Sequence, residues 1–128
     1  QFQNLAMANA ESALARAESW IGTNFNNPGF ATRSDGGLYP LGTAPDPNTM
    51  AWTDSTSVKV DTFGNQRFTI ELLAGPRTLP SNSIGNCNVY GMSAPCPRVN
   101  VYRLTGRGTS VLGALKIVQS IYTVRINV

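Results

Sequence analysis

The sequence contains no histidine. That absence excludes histidine-based catalytic triads and histidine metal sites, which account for many of the readily recognised enzyme classes. Charge is also scarce: 10 basic and 7 acidic residues make up 13% of the chain, with a formal net charge of +3. The basic residues are scattered, and so small an excess is the mark of a solvated surface rather than of a nucleic-acid-binding one. No run of about 20 apolar residues occurs, so no segment is a candidate membrane span. Sustained metal-ligand spacing is lacking too. Asp35, Asp46, Asp54 and Asp61 are dispersed, without the D-x-D-x-D pattern of a calcium loop.

Against these absences, 128 residues suffice for one packed domain and are too few for two. Gly and Pro are frequent, at 12 and 8 residues, giving a loop-rich composition of the kind found in secreted β-containing proteins. Cys87 and Cys96 are the two cysteines. An even count in such a chain reads as a disulfide and an oxidising compartment. Closing a ring of about ten residues contributes roughly 2 to 3 kcal/mol in the chain-entropy treatment. The lack of a C-x-x-C spacing argues against redox or metal chemistry at this pair.

The clearest periodicity lies at the start, in residues 1–22. Met7, Ala10, Leu14, Ala17 and Ile21 recur at steps of three and four, the spacing that aligns side chains on one helical face. Ala6, Ala13 and Trp20 form a second column beside them, while Asn9, Ser12, Arg16 and Ser19 mark the polar side. Gly22 and Asn24 offer a stop. No capping residue precedes Phe2, which predicts that the helix is the lower part of a longer one. Its first turns, residues 1–8, are then expected to project free of the domain.

Residues 23–55 form a variable loop region. Turn signals at Asn26-Asn27-Pro28-Gly29, Asp35-Gly36-Gly37 and Ala44-Pro45-Asp46-Pro47-Asn48 alternate with Phe25, Phe30, Leu38, Tyr39, Leu41, Met50 and Trp52. The spaced aromatics predict that the region is pinned onto the domain. Residues 56–128 are a sheet region. Val58, Val60 and Thr62, a tight turn over Phe63-Gly64-Asn65-Gln66, and Phe68, Ile70 and Leu72 describe a β-hairpin that Gly75-Pro76 ends. A third strand enters at Val99 and runs to about Thr105, with Gly106-Arg107-Gly108 as its turn. The last strand spans 114–127, where β-branched density favours strand over a helix at 111–122. One helix followed by antiparallel strands gives an α+β roll of a single domain, with the helix covering one face of a sheet of about four strands.

Two segments carry a resemblance. The run Leu5-Ala-Met-Ala-Asn-Ala-Glu-Ser-Ala-Leu-Ala-Arg-Ala-Glu18 resembles the segment after the transmembrane part in PilX-type minor pilins of Gram-negative type IV pili. The end of the chain, Tyr102-Arg-Leu-Thr-Gly-Arg-Gly-Thr109 followed by Val118-Gln-Ser-Ile-Tyr122, is similar to the closing pattern of that family. The resemblance covers about a third of the chain. It implies a type IV pilin-like fold and a non-enzymatic subunit without cofactor or metal. It further implies an anchoring hydrophobic helix preceding this sequence, with residence first at the inner membrane facing the periplasm and then in the extracellular fibre. The implied partners are other minor pilins and a PilY-type tip adhesin, in a complex that primes pilus assembly and supports twitching motility and adhesion. Candidate contact residues are the aromatics of the loops, Tyr39, Trp52 and Tyr90. A departure is the early position of the cysteines, which leaves the last strand unstapled. Two other readings stand beside it: a minor pseudopilin of type II secretion, and a secreted hydrolase using Asp54 and Glu71 as acid and base. A single-stranded-DNA contact through Arg98, Arg103 and Arg107 with Tyr102 is a weaker third.

Overall fold

A computed structural model describes residues 2–25, 30, 36–78, 98–110 and 113–126. Helix α1, Phe2–Asn24, is followed by strands β1 (Leu38–Tyr39), β2 (Val58–Lys59), β3 (Gln66–Thr78), β4 (Arg98–Thr109) and β5 (Leu115–Ile126). The strands form one five-stranded sheet in the order β1-β3-β4-β5, with β2 also on β3, and α1 packs across β3, β4 and β5. The architecture is α+β. The sheet is mixed rather than wholly antiparallel: β1 runs parallel to β3, with Leu38 opposite Ile70, while all other pairs are antiparallel. A two-residue strand has no measurable period, which is why it was hidden among turn signals.

The helix runs past Gly22 to Asn24 because side chains cap its end. Asn24 Nδ2 donates to the carbonyl of Trp20 at 2.9 Å, and Thr23 Oγ1 reaches the same oxygen at 3.3 Å. Its buried stripe is centred on Ala6, Ala10, Ala13, Ala17 and Ile21, each wholly inaccessible. Met7 and Leu14 are only half-buried and flank that stripe. The expectation that residues 1–8 project free of the sheet is corrected at Ala6, which lies against Gly108.

The small residues of the stripe meet glycines. A Cβ on Gly106 would stand 2.5 Å from the Ala10 carbonyl oxygen and 2.8 Å from Leu14 N. One on Gly108 would run into Ala6 O and Ala10 N. This corrects the assignment of Gly106-Arg107-Gly108 as a turn. β4 continues straight through them to Thr109, and the glycines serve to let helix backbone approach sheet backbone. The turn lies further on, where Ser110 N bonds Ala114 O and Gly113 N bonds Ser110 O, both at 3.0 Å. β5 matches the expected last strand, with twelve consecutive pairs to β4.

The hairpin before it also forms, with Val58 opposite Phe68 and Lys59 opposite Arg67. Its turn is closed by Val60 N to Gln66 O at 2.9 Å and Gln66 N to Asp61 Oδ1 at 3.1 Å. Gly75-Pro76 does not end the strand. β3 carries on to Thr78 with register shifts between Leu72 and Ala74 and between Ala74 and Arg77, since a bulge accommodates a residue without an N–H.

Between helix and sheet, Ala13, Ala17, Ile21, Phe30, Leu38, Phe68, Ile70, Tyr102, Leu104 and Val124 form the core. Tyr102 is its largest fully buried side chain. Its hydroxyl donates to the Phe25 carbonyl at 3.1 Å and accepts from Asn100 Nδ2 at 2.9 Å, and its ring lies 5.2 Å from Phe30. A phenol placed so deep needs such partners, and these also draw the chain after the helix onto the sheet.

Candidate functional site

Strand alternation gives the sheet two faces. Phe68, Ile70, Tyr102, Leu104 and Val124 turn toward the helix. Arg67, Thr69 and Glu71 of β3, Arg103, Thr105 and Arg107 of β4, and Ile117, Gln119 and Ile121 of β5 occupy the opposite, outer face. Cross-strand register orders them into rows: Arg67, Arg107 and Ile117; Thr69, Thr105 and Gln119; Glu71, Arg103 and Ile121.

The segment 40–57 folds over this face. Asp46 Oδ1 accepts the Asn48 N–H at 2.9 Å in a local turn, while Thr49 N and Met50 N bond the Asp46 carbonyl. Trp52 Nε1 donates to Pro47 O at 3.0 Å. Thr56 Oγ1 bonds Ala51 O at 2.6 Å, and Ser57 Oγ bonds Thr53 O at 2.8 Å. The loop is attached to the sheet at three places. Ala44 N donates to Glu71 Oε2 at 3.1 Å, Tyr39 Oη donates to Thr56 O at 2.8 Å, and Arg67 Nη1 donates to Asp54 Oδ1 at 3.0 Å and Ser57 Oγ at 3.2 Å.

Beneath residues 44–48 lies a cleft of about 400 Å³ with Thr69, Glu71, Arg103, Thr105 and Gln119 as its floor. Glu71 is nearly buried, and its second oxygen accepts from Arg103 Nη1 at 3.3 Å. Gln119 Nε2 donates to Thr105 Oγ1 at 3.0 Å. Such a floor offers hydrogen bonds to a polar group. It contains no nucleophile next to a free base, because Glu71 is already occupied by a guanidinium and a backbone N–H.

Beside the cleft, Trp52 lies over Arg107, whose guanidinium carbon is 5.6 Å from the ring centroid. Burial, and secondarily the neighbouring charge of Arg67, pushes the Arg107 guanidinium below its ordinary pKa. Tyr39 and Tyr102 shift the other way, their phenols raised by burial, with the Asn100 hydrogen bond opposing the shift at Tyr102.

Compared with protein-family models, with curated proteins and with solved structures, the chain matches none. The residues singled out in the sequence must therefore be weighed by position alone. Ala10, Ala17 and Ile21 of the helical stripe are buried against the sheet, with Met7 and Leu14 at its margins. Asn9, assigned to the polar side, instead faces the domain. It donates to Thr109 O at 2.7 Å and accepts from Gln66 Nε2 at 3.0 Å. Tyr39 is buried under the loop, so its ring offers no surface to a partner here, whereas Trp52 is half-buried with Arg107 against it. Cys87, Cys96 and Tyr90 lie outside the described residues.

Asp54 and Glu71, the carboxylate pair of the hydrolase reading, are each engaged by a separate arginine. Tyr102 faces the core, away from Arg103 and Arg107, so the proposed aromatic-basic cluster is divided between two faces. Among the described residues no group of three or more metal-ligating side chains converges, and no helix is long and apolar enough to cross a membrane. The feature that sequence reading missed is the setting of Arg107 under Trp52. Its signal was present in the alternation of β4, which places Arg103, Thr105 and Arg107 on one side once the glycines are read as strand.

Proposed function

We propose that this protein is a minor pilin subunit, non-enzymatic, that joins other minor pilins in a complex priming type IV pilus assembly at the pilus tip. The observation that supports this reading is the meeting of the two segments that carry the resemblance, the helical run and the end of the chain. The helical run 5–18 lies on β4 and β5; Tyr102 pairs in register with Tyr122, and Gly106 and Gly108 of the Thr-x-Arg-Gly stretch receive the alanines of the helix. The segments act as one structural unit, and the loop 40–57 covers the other face of the sheet.

In this reading a preceding hydrophobic helix holds the protein in the inner membrane and later in the fibre core. The sheet and loops then face neighbouring subunits and a PilY-type adhesin, first in the periplasm and finally outside the cell. The half-exposed margin of the helix, Met7 and Leu14, and the loop around Trp52 are the surfaces offered to neighbours. Mixing this domain with the soluble domains of the other minor pilins tests the proposal. Co-elution as a defined complex is the expected result, and failure to bind any of them would overturn the priming role.

A further inference from the structure

The outer face carries three cations in a single register row. Lys59 of β2 lies opposite Arg67 of β3, and Arg67 lies opposite Arg107 of β4. Directly opposed residues point to the same face with Cβ atoms roughly 5 Å apart, where like charges repel. Among the described residues one carboxylate contacts this row. Asp54 binds Arg67 and is itself 76% exposed at the side chain, against 13% for its arginine. Glu71 is taken up by Arg103, and Asp61 receives the backbone N–H of Gln66. Among the described residues Arg107 has the face of Trp52 and no carboxylate, and its Nε is buried with no acceptor there.

Three adjacent like charges are a cost that an oxyanion relieves, and the buried Arg107 Nε shows how far this guanidinium is already withdrawn from water. The planar guanidinium fork is matched to carboxylate and phosphate oxygens, and a partly desolvated setting strengthens such a contact. We propose that Lys59, Arg67 and Arg107, walled by Trp52, form a binding site for an oxyanion, a phosphate or carboxylate group. Asp54 is the internal competitor: it holds Arg67 from the solvent side and yields to the ligand. This site is independent of the pilus reading.

Trp52 supplies the readout. Inorganic phosphate, and separately acetate, is titrated into the protein at constant ionic strength while the indole N–H resonances of Trp52 and Trp20 are followed. The expected result is a saturable shift of Trp52 with Trp20, on the helix side, unmoved. Response to phosphate alone assigns a phosphate site, and response to both assigns a general carboxylate-accepting one. Arg107→Gln should weaken binding about ten-fold or more. Lys59→Gln, at an exposed position that leaves the fold intact, should weaken it several-fold, and Asp54→Asn should tighten it. Absence of a saturable shift with either anion, an equal shift on adding chloride, or unchanged affinity in Lys59→Gln would overturn the site.

Discussion

The two faces of the sheet are built on different rules. Toward the helix, contacts are decided by size: alanines on α1 meet Gly106 and Gly108 at backbone distance, and the larger Ile21, Tyr102 and Leu104 are fully buried in the core. Away from the helix, contacts are decided by charge and hydrogen bonding: Arg67 meets Asp54 and Arg107 meets Trp52 of the loop above, while Arg103 pairs with Glu71 of the neighbouring strand. The first face tolerates no added volume and the second tolerates much. The inner face therefore fixes the fold, while the outer is where composition can vary at small cost to stability.

The sharpest way to break this contrast is Gly108→Ala. A methyl group there meets the backbone of Ala6 and Ala10, which are not flexible side-chain ends. The helix must lift from β4, at a cost of about 3 kcal/mol or more. Urea unfolding followed by circular dichroism should show the loss. A change below about 1 kcal/mol would mean that the helix is not seated as closely as the contrast requires.

Tyr102→Phe comes next. It removes the bonds to the Phe25 carbonyl and Asn100 while keeping the ring, so about 1 to 2 kcal/mol should be lost at neutral pH. The same residue gives a pH dependence. Burial raises its folded pKa above the unfolded value of about 10, so the folded state holds the proton more tightly and stability falls as pH rises past that value. The substituted protein should lose less stability between neutral and strongly alkaline pH than the parent does, with Tyr39, also raised by burial, contributing a dependence of the same sign in both. Unfolding midpoints measured across that range decide it.

These positions also show what could be read from residues alone. The helix and the strand β3 announce themselves by period, because periods of 3.6 and 2 are imposed by backbone geometry, and β5 by its density of β-branched residues. The alanine-centred contact was not evident. A pattern reading gives weight to Met7 and Leu14 because they are large, whereas the closest approach selects the smallest side chains. Gly106 and Gly108 misled for a related reason, since a glycine that permits a turn and one that permits a neighbour's backbone are the same letter. The outer face was legible only in part. The alternation of β4 contains Arg103, Thr105 and Arg107, but it cannot say that a distant tryptophan covers one of them.

Asn9→Ala tests where the two faces meet. Its side chain fastens the helix to Thr109 and Gln66 at the end of the sheet, and truncation leaves a carbonyl and an amide in partly buried surroundings. A loss of about 1 kcal/mol is expected, with faster amide exchange in the first helical turns as its local signature. Wild-type exchange there would show that the alanine–glycine seam alone holds this end.

The smallest effect is predicted at Ile121. It sits on the outer face of β5 with 58% of its surface exposed, one residue before Tyr122, which packs toward the core. A reading by residue type alone would place an isoleucine inside and expect its removal to be costly. Position says otherwise: the side chain already contacts water, so Ile121→Thr forfeits little burial and keeps the β-branched shape that strands favour. The change in unfolding free energy should stay within about 0.5 kcal/mol. A loss comparable to that of a core truncation would mean that the outer face of β5 is covered in solution, and the division between a size-ruled and a charge-ruled face would then end at β4.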